Sequence, residues 1–83
     1  MKLLYFAWLR TRIGRGEEEI EVPAEVATVA DLLAWLAGLG GGYAEALARP
    51  ELVRVAVNQE FAGPGTPVAP GDEVALFPPV TGG

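Results

Sequence analysis

Leu3-Leu4-Tyr5-Phe6-Ala7-Trp8-Leu9 is an almost unbroken apolar run, which predicts a strand covered on both faces and placed centrally in a sheet. Read as a strand, it carries Leu4, Phe6 and Trp8 on one face. Arg10 to Gly16 supply turn chemistry through their glycines, and Glu17 to Val22 predict a second, highly charged strand. The opening third therefore reads as a hairpin. Pro23 ends it, because proline has no N–H to give to a ladder.

The period then changes. Thr28-Val29-Ala30-Asp31 reads as a capping box, with Thr28 as N-cap and a carboxylate three residues on. Val29, Leu32, Leu33 and Leu36 follow the i, i+3, i+4, i+7 spacing of one buried helix face, and Gly38 or Gly40 can end the helix. The Gly38-Leu39-Gly40-Gly41-Gly42 run follows a helix and lacks the Lys-Ser/Thr pair of a phosphate loop, so it reads as a helix stop and link. Tyr43 to Arg49 predict a short second helix before Pro50. Alternation resumes in Leu52 to Val57, with Val53, Val55 and Val57 on one face and Arg54 and Ala56 on the other. Asn58-Gln59 turn the chain into a short Glu60-Phe61-Ala62 strand, and Pro70-Gly71-Asp72 turn it into the last one, Glu73 to Phe77. There Val74 and Leu76 share one face and Ala75 and Phe77 the other. The order ββαβ(β)β predicts an α+β, β-grasp (ubiquitin-like) fold: a mixed sheet of four to five strands, one main helix on one face, and an extended C-terminal tail. Residues 1–79 form the domain and 80–83 a flexible tail.

Composition narrows the chemistry. Eighty-three residues suit one small domain with a barely sufficient core. The chain has no cysteine, histidine or serine, so the usual nucleophile–base pairs cannot be assembled, and a metal site would have to rely on carboxylates. No catalysis by the chain alone and no metal are expected. Eleven acidic against six basic residues, net −5, argue against a nucleic-acid partner. No run is long enough to span a membrane and no secretory leader is evident, so a cytoplasmic location is expected.

The last seven residues carry the functional signal. Pro78-Pro79 hold the backbone extended as it leaves the last strand, and Val80-Thr81-Gly82-Gly83 then narrow to bare backbone ending in a carboxylate. At ~3.3–3.6 Å per residue such an arm reaches roughly 20 Å, enough to enter a slot on another protein. With the helix on one side of the sheet, Phe6, Phe61 and Phe77 are candidates for an apolar patch on the other. Trp8 and Trp35 read as packing. Arg10, Arg12 and Arg15 form a basic cluster whose plainer meaning is a solvated loop, and Glu17-Glu18-Glu19 with Glu21 read as one wet strand face.

These motifs resemble a known family, the MoaD small sulfur-carrying subunits of molybdopterin synthase. The resemblance rests on Leu4-Tyr5-Phe6-Ala7 with Arg10, Thr28-Val29-Ala30-Asp31-Leu32, Val55-Ala56-Val57-Asn58-Gln59, and above all Gly71-Asp72-Glu73-Val74-Ala75-Leu76-Phe77-Pro78-Pro79-Val80-Thr81-Gly82-Gly83. It implies that Gly83, presented with Gly82, is adenylated by an ATP-dependent activating enzyme, converted to a thiocarboxylate, and gives its sulfur to a cyclic pyranopterin phosphate inside the synthase. It further implies contact with the large catalytic subunit, in a heterotetramer, through Phe6, Arg10, Phe61, Phe77, Pro78, Pro79, Val80 and Thr81. No cofactor would be held permanently, ATP belonging to the activating enzyme, and a separate donor would supply sulfur. The same fold and ending also suit a thiamine-type sulfur carrier, against which the Phe77-Pro78-Pro79-Val80 ending and the chain length speak, or a ubiquitin-like protein modifier. A β-grasp interaction domain with an inert tail is the reading of another class.

Overall fold

The computed structural model describes residues 1–79. Five strands form one sheet in the order β2-β1-β5-β3-β4: β1 Lys2–Tyr5, β2 Glu17–Glu19, β3 Arg54–Val57, β4 Glu60–Ala62 and β5 Glu73–Phe77. β1 and β5 pair in parallel at the centre, and the remaining pairs are antiparallel. Leu3, Tyr5, Val55, Val57, Val74 and Leu76 turn to one face and are buried there. Against them pack α1 (Ala7–Ile13), α2 (Val29–Ala37) and α3 (Gly41–Ala46), contributing Leu9, Val29, Leu32, Leu36 and Ala46 to the same core. All helical cover lies on that side. The mixed five-stranded sheet and its helical layer are the β-grasp arrangement, and no helix among the described residues is long and apolar enough to cross a membrane.

The capping box forms as the sequence predicts. Thr28 is extended, its Oγ1 accepts from the Asp31 N–H at 3.2 Å, and Asp31 Oδ2 accepts from the Thr28 and Ala27 N–H groups at 3.2 and 3.1 Å. Asn58 and Gln59 both take positive φ, 51° and 70°, as a tight right-twisted hairpin turn requires. Asn58 also clamps the start of β5, donating to Asp72 Oδ1 at 3.1 Å and accepting from the Glu73 N–H at 3.0 Å.

The opening segment departs from expectation. β1 stops at Tyr5, and the residues read as the rest of the strand and a hairpin loop instead form α1, so β1 reaches antiparallel β2 through a helix. Leu9 is buried, and Trp8 and Ile13 pack against the core from the same short helix. A short apolar run flanked by polar residues satisfies a strand or a helix equally well, and tertiary packing decides. Ala7, with φ 55°, is the joint where the chain turns from one to the other. Arg10 and Arg12 consequently lie in the last turn of α1, where the helix dipole favours cations, and Gly14 closes it with φ 93°. β2 is also shorter than the expected Glu17–Val22, and it is not uniformly wet: Glu18 turns inward while Glu17 and Glu19 stay exposed. The short helix expected over Tyr43 to Arg49 is α3, which begins inside the glycine run at Gly41 and ends at Ala46, and Pro50–Leu52 form a single 3-10 turn before β3.

Candidate functional site: the open sheet face and the chain exit

Register fixes what the uncovered face presents. Across its middle run Glu17, Leu4, Ala75, Ala56 and Phe61, one residue from each strand. One row toward the C-terminal end of β5, Phe77 stands directly beside Arg54. In the opposite direction the row is Glu19, Lys2 and Glu73. An apolar centre is thus bounded by charge on one side and by the chain exit on the other. The Phe61 and Phe77 rings lie 6.0 Å apart at 54°, a tilted pair, yet Phe61 remains 87% exposed. A phenyl ring kept this open in a small domain contributes little to its own core and much to anything laid across it.

Phe6 joins this end of the face. Its N–H donates to the Leu76 carbonyl at 3.1 Å, its backbone is still extended, and alternation from buried Tyr5 sends its half-exposed ring to the open side. Arg10, one helical turn on, lies against the α1–β2 connection; a Cβ at Gly16 would stand 3.1 Å from its Nε. Phe6, Phe61, Phe77 and Arg54 therefore surround the point where β5, hydrogen-bonded on both sides, hands the chain to half-buried Pro78 and Pro79. Arg10 is close by but on the helix, not in a loop. Trp8 belongs to α1 and packs with the core, as does Trp35. Val80, Thr81, Gly82 and Gly83 lie outside the described residues.

Sequence reasoning put Leu4 on the face of Phe6, Ala75 on that of Phe77 and Ala56 with Arg54, but named none of Leu4, Ala75, Ala56 and Arg54 as a site residue. The signal of the first three was present in the alternation opposite Val55, Val74 and Leu76, but only strand order shows that they form one row. Elsewhere, a groove of about 540 Å³ lies between α2 and the β3–β4 side, lined by apolar residues such as Val29, Leu33, Val53 and Pro64, with Glu51 and Arg54 its charged neighbours. It contains no nucleophile–base pair. No group of three metal-binding side chains is assembled among the described residues.

One polar cluster supports the site from behind. Tyr5 and Tyr43 both donate to Glu18 Oε2 at 2.6 Å, and Arg15 pairs with Oε1 at 3.0 Å. Burial first, and then the Glu18 carboxylate, push both phenols above the usual tyrosine value, Tyr5 far above it. They are donors throughout the neutral range, tying α3 and β2 to β1 just before Phe6.

Comparison with known proteins agrees with this geometry. The ThiS family model matches residues 3–83. The chain is 41% identical to the molybdopterin synthase sulfur carrier subunit of Escherichia coli and 39% identical to that of Haemophilus influenzae, each over the whole chain and 99% of the relative. Its fold superposes on the crystal structure of the H. volcanii small archaeal modifier protein 1 with a TM-score of 0.75 at 34% identity, covering 96% of this chain and 97% of that one. Sheet order, exit strand and full-length similarity place the chain in the ThiS family, among the MoaD-type small subunits of molybdopterin synthase.

Proposed function

We propose that the chain is the sulfur carrier of molybdenum cofactor biosynthesis, with the Gly83 carboxyl group as the carrying atom site. What carries the reading is full-length identity of 41% and 39% to subunits of that role, joined to an uncovered aromatic face that surrounds the chain exit. A carboxylate resists attack by sulfur, so an activating enzyme must first place AMP on it, Gly83 displacing pyrophosphate from ATP. Hydrosulfide then attacks the acyl carbon, AMP leaves, and a thiocarboxylate remains. Docked through Phe6, Phe61, Phe77 and the Pro78-Pro79 exit, with Arg10, Val80 and Thr81 lining the approach, the arm delivers that sulfur to a cyclic pyranopterin phosphate held by the large subunit. Hydrolysis of the resulting acyl species regenerates the carboxylate. Acid, base and substrate-binding groups belong to the partner, consistent with a chain that lacks cysteine, histidine and serine.

Intact mass after incubation with activating enzyme, ATP and sulfide tests this. The full-length chain should exchange one oxygen for sulfur and a variant lacking Gly83 should not. No exchange in the full-length chain, with an enzyme active on a control carrier, would reject the reading. A second reading, as a protein modifier, is favoured by the similarity to the archaeal modifier protein. The same activated Gly83 would then acylate a lysine amine, and conjugates surviving thiol treatment and retaining a Gly-Gly remnant after proteolysis would reveal it.

A further inference from the structure

Among the cations of the described residues, Lys2, Arg15 and Arg49 each meet a carboxylate, at 3.6, 3.0 and 3.4 Å. Arg10, Arg12 and Arg54 meet none of the described residues' carboxylates, and of these Arg54 alone stands on a strand of the open face, Arg10 and Arg12 lying on α1. Its position makes that consequential. β3 lies inside the sheet, between β5 and β4, so Arg54 is flanked by Phe77 on one side and lies diagonally beside Phe61, which pairs with Ala56 two residues along. Glu51 lines the groove that Arg54 also borders but pairs with Arg49, and the acids of the open face, Glu17, Glu19 and Glu73, belong to rows farther from the exit. A protein whose net charge is −5 thus keeps an uncompensated guanidinium within its apolar docking surface, beside the departing chain.

We infer that Arg54 is a specificity-determining residue that reads a carboxylate on the rim of the large subunit's tail slot, an inference that rests on the docking reading above. Any partner that covers Phe61 and Phe77 also strips water from Arg54. Covering a cation without pairing it costs far more than the aromatic contact gains, so a compatible surface must supply an acceptor there, and guanidinium geometry favours a bidentate carboxylate. The pairing has a second consequence. With Arg54 at the exit and Glu19, Lys2 and Glu73, together net negative, at the other end of the face, the surface is polar along the strand direction, so a partner that is acidic beside its slot and basic farther away approaches in the orientation that inserts the arm. Surfaces that match the aromatic patch but lack the acid are rejected.

The test is surface plasmon resonance of the full chain against the cognate large subunit at several ionic strengths. Arg54→Ala should weaken binding about 30-fold or more, chiefly through faster dissociation, and Arg54→Glu further still. Arg54→Lys should keep most of the affinity, and Arg12→Glu, on α1 away from the strands of the open face, should change it by less than about twofold. Changing the matching carboxylate of the large subunit to lysine should restore binding to Arg54→Glu alone. Circular dichroism melts verify folding, with Arg54→Gln replacing any variant that fails to fold. If wild type binds and Arg54→Glu binds equally, the inference falls while the carrier reading stands. If wild type does not bind at all, both fall.

Discussion

Single side chains in this protein divide into those that hold the fold and those left exposed on the open face, and Glu18 is the clearest of the first group. One carboxylate accepts from two tyrosines and an arginine, so its loss leaves three donors without an acceptor. Glu18→Ala should lower unfolding free energy by about 2–3 kcal/mol in urea titration, whereas Tyr5→Phe, which retains the ring and leaves Glu18 two other donors, should cost only about 1 kcal/mol. The phenols also set an alkaline limit. Their folded values lie above the unfolded value near 10, so the stability they contribute is complete below about pH 10 and declines as pH rises past it. Tyr5→Phe should flatten that decline. Asp31 acts at the other end of the scale: the Ala27 N–H first, then the Thr28 hydroxyl and the Thr28 N–H, hold its carboxyl below the usual range. Its contribution is therefore present above about pH 4 and lost as pH falls toward its folded value. Thermal melts from pH 6 to pH 2 should fall less steeply for Asp31→Ala than for wild type, from a lower starting midpoint.

At the scale of elements, α1 and α3 pack so closely that Gly42 has no room for a side chain; a Cβ there would stand 2.1 Å from the Arg12 carbonyl oxygen, a backbone atom that cannot swing aside. Gly42→Ala should destabilise by about 1–3 kcal/mol despite alanine's better helix propensity, and urea midpoints would show it. Gly63, with open space around its α-carbon, should accept alanine with little change. The same region shows what a sequence can and cannot disclose. The capping box, the α2 face and the alternation of β3 and β5 were legible because each rests on spacing within one element. α1 was not, because Phe6 to Leu9 fit either period and the choice was made by α3, more than thirty residues away. The inward turn of Glu18 was hidden for a related reason: three consecutive glutamates look alike until β1 pairing assigns one of them to the Tyr5 side. Phe6, Phe61 and Phe77 could be singled out by alternation alone, but the row of Leu4, Ala75 and Ala56 between their strands exists only through the parallel β1–β5 and antiparallel β3–β5 pairings.

For the molecule as a whole, one sheet separates a helix-covered side that holds the fold from an open side that the proposed docking uses. Substitutions on the two faces should therefore have opposite profiles. Leu32, fully buried from α2, is the control for the first face, and Leu32→Ala should cost about 2–5 kcal/mol of stability through lost transfer energy and an unfilled cavity. Phe61, 87% exposed, is the case for the second. Phe61→Ala should leave stability within about 0.5 kcal/mol of wild type, since nearly all of its ring is already in water. It should nonetheless weaken the complex with the large subunit by about 2 kcal/mol or more, as loss of a central aromatic anchor does. Phe77→Ala should do both, because its ring is half-buried in the strand that anchors the exit and leans on Phe61. Urea titration and calorimetric binding on the same three variants decide the matter. Equal losses of stability at Phe61 and Leu32 would mean that the open face belongs to the core, while an unchanged complex with Phe61→Ala would move the docking surface elsewhere on the molecule.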